Sequence, residues 1–518
     1  MAAGLGLVFR YRWIFDDSFV YFRYIDNLLF LKIGLVFNAG EFVEGYTSPL
    51  QCLLLMAWRT LHLSYPVIVA ASGFCSFVLF WYLLVALNRA FRPETTWKTA
   101  LNFPLCFLAA NYSVASFFTA GNETALVHVV AAANALFILR PRSRLAAILV
   151  AASPLARPEL AATLLVTFII VWVRRRRFPG LLAGAALLFN GGWLAFRIVY
   201  YADLLPNSFY LKEGTHLDWG RRYLLDLAQP YHLGTVLLVF AVLLVVLAAK
   251  ARRGGSAAIQ DLKPGSRAAI LLLAGTVAAY VVRTGGSAMH YYYLAAPFVL
   301  VICSLGGLLE AAADRLPAWN GPVPRFAAMM ALFLLLGSFY PENLSRHPIT
   351  RRERMVEKPS PSVLTDPSYF RHLRAFQEAA WPAIPDLVET GRILRKEGYR
   401  QWSGTGRCAY AYRHPAVRCI QRFGLTDGIL ARVDTPEQKR GHKRGLKQLS
   451  RDIIQLQKEA PVIGRGMARR AVMEGTAPDW MEPNLASIEI IEKKMFNRHD
   501  FAENLRLVLT FPPKIQLY

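Results

Sequence analysis

From Met1 to about Tyr340 the sequence is a succession of long apolar runs broken by short basic loops, and no other feature narrows the possible fold so far. Hydrocarbon offers no partner to a peptide N–H or C=O, so such runs resolve into helices that satisfy their own backbone. Hydrophobic residues make up 54% of the chain and the mean hydropathy is +0.30, above what an ordinary soluble domain carries. The runs predict spans at about 66–91, 99–117, 124–139, 145–157, 160–173, 179–201, 231–249, 267–283, 291–309 and 323–340. Met1 to Phe15 contains Arg10 and Arg12, is too short for a full span, and shows no small-residue cleavage site. From Pro341 to Tyr518 the pattern becomes that of a water-soluble domain. The expected architecture is an all-α polytopic membrane domain over 1–340 with about 10–11 spans, followed by a soluble α/β domain over 341–518.

Basic loops orient a membrane chain toward the cytoplasm. Clusters at Arg89/Arg92/Lys98, Arg140/Arg142/Arg144, Arg174–Arg177 and Lys250/Arg252/Arg253/Lys263/Arg267 fall in every second loop, hence on one side. The other loops and the tail are then exoplasmic. The implied location is the inner (plasma) membrane, multi-pass, with the tail and any shared site on the periplasmic side.

Those exoplasmic loops hold the polar residues that are hardest to explain as packing. The first, 16–65, opens with the adjacent carboxylates Asp16 and Asp17. It continues through a segment with Phe19, Phe22, Ile25 and Leu29 at helical spacing, which reads as an interfacial helix. Arg23 and Asp26, three residues apart, can pair on its opposite face. Glu41, Glu44 and Tyr46 follow around Gly40 and Gly45, and Pro49–Leu63 is a second short apolar segment. Asp16 and Asp17 serve equally as a helix N-cap or as solvated loop charges. Ionisable groups at a membrane rim are nonetheless functional candidates by default.

The remaining loops add Asn122 and Glu123, then Arg157 and Glu159 flanking Pro158, then Asn207, Tyr210 and Lys212. The last contributes Arg283, His290 and Tyr291–Tyr293 beside Gly285 and Gly286. Carboxylates suit a general base or a divalent cation, Mg or Mn, with Asp16 and Asp17 as its ligands. Arg283 and Lys212 suit a phosphate, or snorkel from span ends. Arg157 and Glu159 can pair with each other. Tyrosines suit a sugar ring or the interfacial belt, and His290 a packed interface.

The net charge of +24 does not indicate a nucleic-acid partner. The tail after residue 340 holds 31 Lys and Arg against 20 Asp and Glu, and the rest of the excess lies mostly in orienting loops. No phosphate-binding glycine loop for a soluble nucleotide is present. Of six cysteines, Cys408 and Cys419 alone lie in the tail, with no Cys/His ligand cluster. In an oxidising compartment they are a disulfide candidate, provided the ten residues between them form a strand and a turn.

In this order the motifs D-D-S-F-V-Y-F-R-Y-I-D-N-L, G-L-V-F-N-A-G-E-F-V-E-G-Y-T-S-P-L, A-G-N-E-T-A-L, A-R-P-E, L-P-N-S-F-Y-L-K and G-G-S-A-M-H-Y-Y-Y-L resemble the GT-C class of integral-membrane glycosyltransferases. Within it, the chain is most similar to the terminal β-(1→2)-arabinofuranosyltransferase family. G-L-T-D-G-I-L-A-R and G-H-K-R in the tail share the likeness. The resemblance implies inverting transfer of a pentofuranose from a polyprenyl phosphate to a cell-envelope glycan. It implies Asp16 and Asp17 as the catalytic pair, and Glu44 and Glu123 near acceptor or sugar. It places Lys212, Arg283 and His290 near the leaving phosphate. Arg23, Tyr46, Asn122, Arg157, Glu159, Asn207, Tyr210 and Tyr291 complete the expected binding set. The expected partners are the lipid-linked donor, the glycan acceptor and membrane lipids. The rival reading is a multi-pass transporter or flippase of envelope glycolipids. Transporters more often place ionisable groups at the bilayer midplane and repeat their halves.

Overall fold

A computed structural model describes residues 1–91, 102–212, 214–228, 263–286, 291–314, 321–324, 327, 381–399, 401–403, 408–420, 424–434, 438–439, 442–443, 446–459, 464–510 and 514–516. The protein is mostly helical. Among the described residues, three helices are long and apolar enough to cross a membrane: Tyr65–Phe91, Gly180–Tyr201 and Pro264–Thr284. The second carries a π-helical turn at Leu187–Gly191. Thr124–Leu139 and Tyr292–Gly306 are apolar but shorter. The expected run at 99–117 is instead two helices, Phe103–Ala110 and Tyr112–Phe117, parted at Asn111, whose side chain caps the second. The expected span at 231–249 lies outside the described residues, as does that at 323–340 apart from 323, 324 and 327.

The chain divides into two compact units, neither of them continuous in sequence. One comprises Met1–Ile14, Val69–Leu188 and Thr215–Phe376; the other comprises Phe15–Ile68, Phe189–Gly214 and Gln377–Tyr518. This division cuts across the 1–340 and 341–518 partition expected from composition, because the first loop and the end of the 180–201 helix group with the tail.

In the first unit, Pro264–Thr284 packs on Ala295–Asp314, which packs on Thr124–Leu139. Thr124–Leu139 is buried along nearly its whole length. Its Asn134 accepts a 2.8 Å hydrogen bond from Thr167 on the helix Leu160–Arg175, a polar tie between apolar helices.

In the second unit, the helix Ser18–Leu29 is buried on every side from Ser18 to Asn27. It therefore does not lie half-exposed at an interface, as its amphipathic spacing predicts. The helix Pro49–Arg59 begins with Pro49 at a position where its missing N–H is harmless, capped by the Ser48 hydroxyl. The tail helix Ile384–Glu397 sets Leu387 and Leu394, two turns apart, against Phe30 and Leu31. Gly391 faces the same side, and a Cβ there would lie 2.4 Å from the Leu31 carbonyl oxygen. A larger core joins Val43 to Ile420, Ile429, Leu430, Ile453, Ile488 and Met495 of the tail. The tail's β-structure is limited among the described residues to three two-stranded ladders. These are Gln401–Ser403 parallel with Val417–Cys419, Val433–Asp434 parallel with Ile515–Gln516, and Gln438–Lys439 antiparallel with His442–Lys443.

Candidate functional site

The adjacent carboxylates sit on a half-buried turn immediately before the helix Ser18–Leu29. Asp17 is the residue before the helix but its side chain does not cap it; the backbone carbonyls of Asp16 and Asp17 accept from Phe19 and Val20 instead. Asp16 Oδ1 accepts the backbone N–H of Ala409 at 3.2 Å. Ala409 is the second residue of the helix Cys408–Arg413, where the N–H has no partner within its own helix.

The rest of that tail segment grips the same helix. Arg23, 2% exposed, donates to the carbonyls of Phe37, Ala411 and Val417 and to Asn38 Oδ1. Its guanidinium is thus engaged by protein acceptors. The expected Arg23–Asp26 pair is not formed. Asp26 pairs with Arg59 at 2.9 Å and accepts from Tyr65 at 2.9 Å and Tyr412 at 3.0 Å. Burial pushes the Asp26 carboxyl upward, and Arg59, Tyr65 and Tyr412 pull it back. Phe22 stacks on Tyr65 at 3.9 Å, and Trp381 stacks on Phe19 at 5.5 Å, so apolar surface surrounds the ion pair.

The segment between the tail cysteines is helical from Cys408 to Arg413 and reaches its strand only at Val417–Cys419. The expected strand-and-turn is absent. Cys408 and Cys419 are both buried and are not bridged. Cys419 instead exchanges backbone hydrogen bonds with the Asn38 side chain, at 3.1 and 3.0 Å.

A second polar group lies around Glu44. Its carboxylate pairs with Arg197 and accepts from Trp193 Nε1 at 3.1 Å. Burial raises its pKa, against the pull of Arg197 and Trp193. Asn207 donates through Nδ2 to the carbonyls of Gly424, Leu425 and Asp427, fixing the G-L-T-D loop, while its own N–H binds the Glu44 carbonyl. Tyr210 donates to Asp203 at 2.6 Å, and Arg432 binds Asp203 while lying 4.0 Å from the Tyr210 ring. Tyr46 is buried, its hydroxyl 3.1 Å from that of Tyr201. Lys212 is half-buried. Glu44, Asp203, Asn207, Arg432 and Lys494 line a cavity of about 20 Å3, room for about one water molecule. Asp16 and Asp17 do not line it.

In the other unit, Glu123, Arg157 and Glu159 form one buried cluster. Arg157 pairs with Glu159 at 2.5 Å and with Glu123 at 3.9 Å. Its guanidinium lies over the rings of Tyr292 and Tyr293, and Tyr292 donates to Glu123 at 2.6 Å. Asn122 is buried and its side-chain oxygen accepts the Thr124 N–H, forming the turn into the helix Thr124–Leu139. Tyr291 is buried against His128, 2.8 Å from its Nε2. Arg283 is exposed in the last turn of Pro264–Thr284. Gly285 and Gly286, at φ of +83° and +76°, turn their N–H groups back onto that helix end. His290 lies outside the described residues.

Among the described residues no three His, Cys, Asp or Glu side chains converge to hold a metal ion. Residue-by-residue reading of the sequence did not single out Arg59, Asp203, Arg197, Arg432, Tyr412 or His128. Each is half of a pair whose partner is remote in sequence. Comparison with family models, with curated proteins and with solved structures gave no match.

Proposed function

We propose that the protein is a membrane glycosyltransferase that moves a sugar, arabinofuranose as the resemblance implies, from a polyprenyl-phosphate donor to a cell-envelope glycan. The observation that carries the reading is the Asp16–Asp17 turn. Two adjacent carboxylates stay half-buried at the start of a helix that is buried from Ser18 to Asn27 and tied down by an ion pair. Preorganised carboxylates of this kind suit proton removal and stabilisation of developing positive charge. The polytopic membrane domain and the exoplasmic placement of the turn belong to the same proposal.

In the proposed reaction, the acceptor hydroxyl oxygen attacks the anomeric carbon as its proton passes to one aspartate. The bond from that carbon to the phosphate oxygen breaks and the polyprenyl phosphate leaves with the electron pair. The other carboxylate faces the oxocarbenium-like charge on the ring. Attack opposite the leaving group inverts the anomeric centre. Purified protein incubated with synthetic polyprenyl-phosphate pentoses and hexoses plus a glycan acceptor tests the reading: a pentose donor is consumed. Consumption of none overturns it.

One observation favours the rival, a transporter or flippase. His128, buried within the apolar helix Thr124–Leu139, pairs with Tyr291, and polar pairs inside a membrane helix are typical of transport paths. Movement of a fluorescent glycolipid between leaflets without bond cleavage, in the same reconstituted protein, distinguishes the two.

A further inference from the structure

The helix Leu160–Arg175 presents two faces. Leu160, Thr163, Thr167 and Val171 are buried. Leu165, Ile169, Trp172 and Val173 are exposed, from 46% to 69%, at the spacing of the opposite face. The band does not end in open loop. The chain reverses at Arg176, which takes the left-handed conformation at φ +50°, and Phe178 folds back edge-on against Phe168 and Trp172. Three aromatic rings thus close the apolar band, and four exposed arginines, Arg174 to Arg177, stand directly beyond it.

Arg174 is held against the start of the neighbouring helix, donating to the Gly265 carbonyl and to Ser266 Oγ. Arg175, Arg176 and Arg177 are in no ion pair among the described residues. Like charges packed into one turn repel, and a phosphate-bearing surface offsets that repulsion while matching the fork of each guanidinium. An apolar band, an aromatic cluster and a basic collar, gathered at the end of one helix and the turn that follows it, are the layers of a bilayer leaflet from acyl chains to headgroups.

We infer that the Arg174–Arg177 turn is a binding site for anionic phospholipid headgroups, with the acyl chains along the Leu165–Val173 face. A soluble phosphate engages only the arginines, whereas a lipid engages both layers.

The test uses the purified full chain in detergent with equal phosphatidylglycerol and phosphatidylcholine, and native mass spectrometry to read the retained lipid. Wild-type protein retains phosphatidylglycerol preferentially. The combined variant Arg175→Gln/Arg176→Asn/Arg177→Gln, with Asn at the left-handed position it tolerates, loses that preference by roughly a hundredfold. The triple change to lysine keeps most of it. Undiminished preference in the neutral variant overturns the inference. Equal competition by glycerol 3-phosphate also overturns it, because the site then takes free phosphate. Should the neutral variant fail to fold, a salt series on wild-type protein decides. The preference vanishes at high salt if the collar binds headgroups, and persistence there refutes the site.

Discussion

Asp16 Oδ1 and the backbone N–H of Ala409 meet at 3.2 Å across 393 residues of sequence. One of the two candidate catalytic carboxylates is therefore held by the tail. Arg23 and Asp26 extend the same tie to Ala411, Tyr412 and Val417. The tail segment belongs to the support of the Asp16–Asp17 turn, on which the proposed chemistry depends.

Ala409→Pro removes that N–H at a helical position where proline is tolerated. Loss of one hydrogen bond to a charged group, about 1.5–3 kcal/mol, lowers the melting temperature, and in the protein that stays folded the loosened Asp16 lowers transfer by roughly ten- to a hundredfold. Unchanged turnover in this variant would show that Asp16 does not need the tail.

Asp26→Ala leaves Arg59 buried without its counter-charge. Breaking such a pair costs about 3–5 kcal/mol, whereas Tyr412→Phe, which removes one of several bonds to Asp26, costs about 1 kcal/mol. Thermal denaturation of the two variants side by side measures the difference. Equal effects would contradict the network as described.

Glu492 in the helix Leu485–Met495 is 1% exposed and accepts from the backbone of Gly466 and Ala468 at 2.8 and 2.9 Å. Burial, above all, raises its pKa from 4.5 to about 7. The folded state therefore holds the proton more tightly than the unfolded one. Its stabilising contribution is complete below pH 4.5 and is lost as pH rises to about 7, a change of about 3 kcal/mol. Melting curves of wild type and Glu492→Gln between pH 4 and 8, a range of roughly four units around that window, give a steeper decline with rising pH for wild type. Parallel declines would refute the shift.

Much of the helical layout is legible in the sequence. The apolar runs predicted at 66–91, 179–201 and 267–283 correspond to the helices Tyr65–Phe91, Gly180–Tyr201 and Pro264–Thr284, because long apolar composition is a local signal. The surroundings of the Asp16–Asp17 turn were not legible. Ser18–Leu29 reads as amphipathic because its apolar residues recur at helical spacing, yet what covers its polar face arrives from residues 411–417, while Trp381 stacks on Phe19 of the apolar face. Arg23 and Asp26 read as a local pair, but each finds a better-oriented partner elsewhere in the chain. The segment 408–413 reads as a strand from its alternation of small and aromatic residues, and tertiary packing against Ser18–Leu29 makes it helical.

The central claim is that the Asp16–Asp17 pair performs glycosyl transfer. Asp16→Asn and Asp17→Asn keep the size of each side chain and remove its charge. The decisive measurement is the rate of pentose transfer from a synthetic polyprenyl-phosphate donor by each purified variant, normalised to folded protein. A fall of roughly a hundredfold or more is expected in each, with expression and melting temperature near wild type. Near-normal transfer in both variants would contradict it.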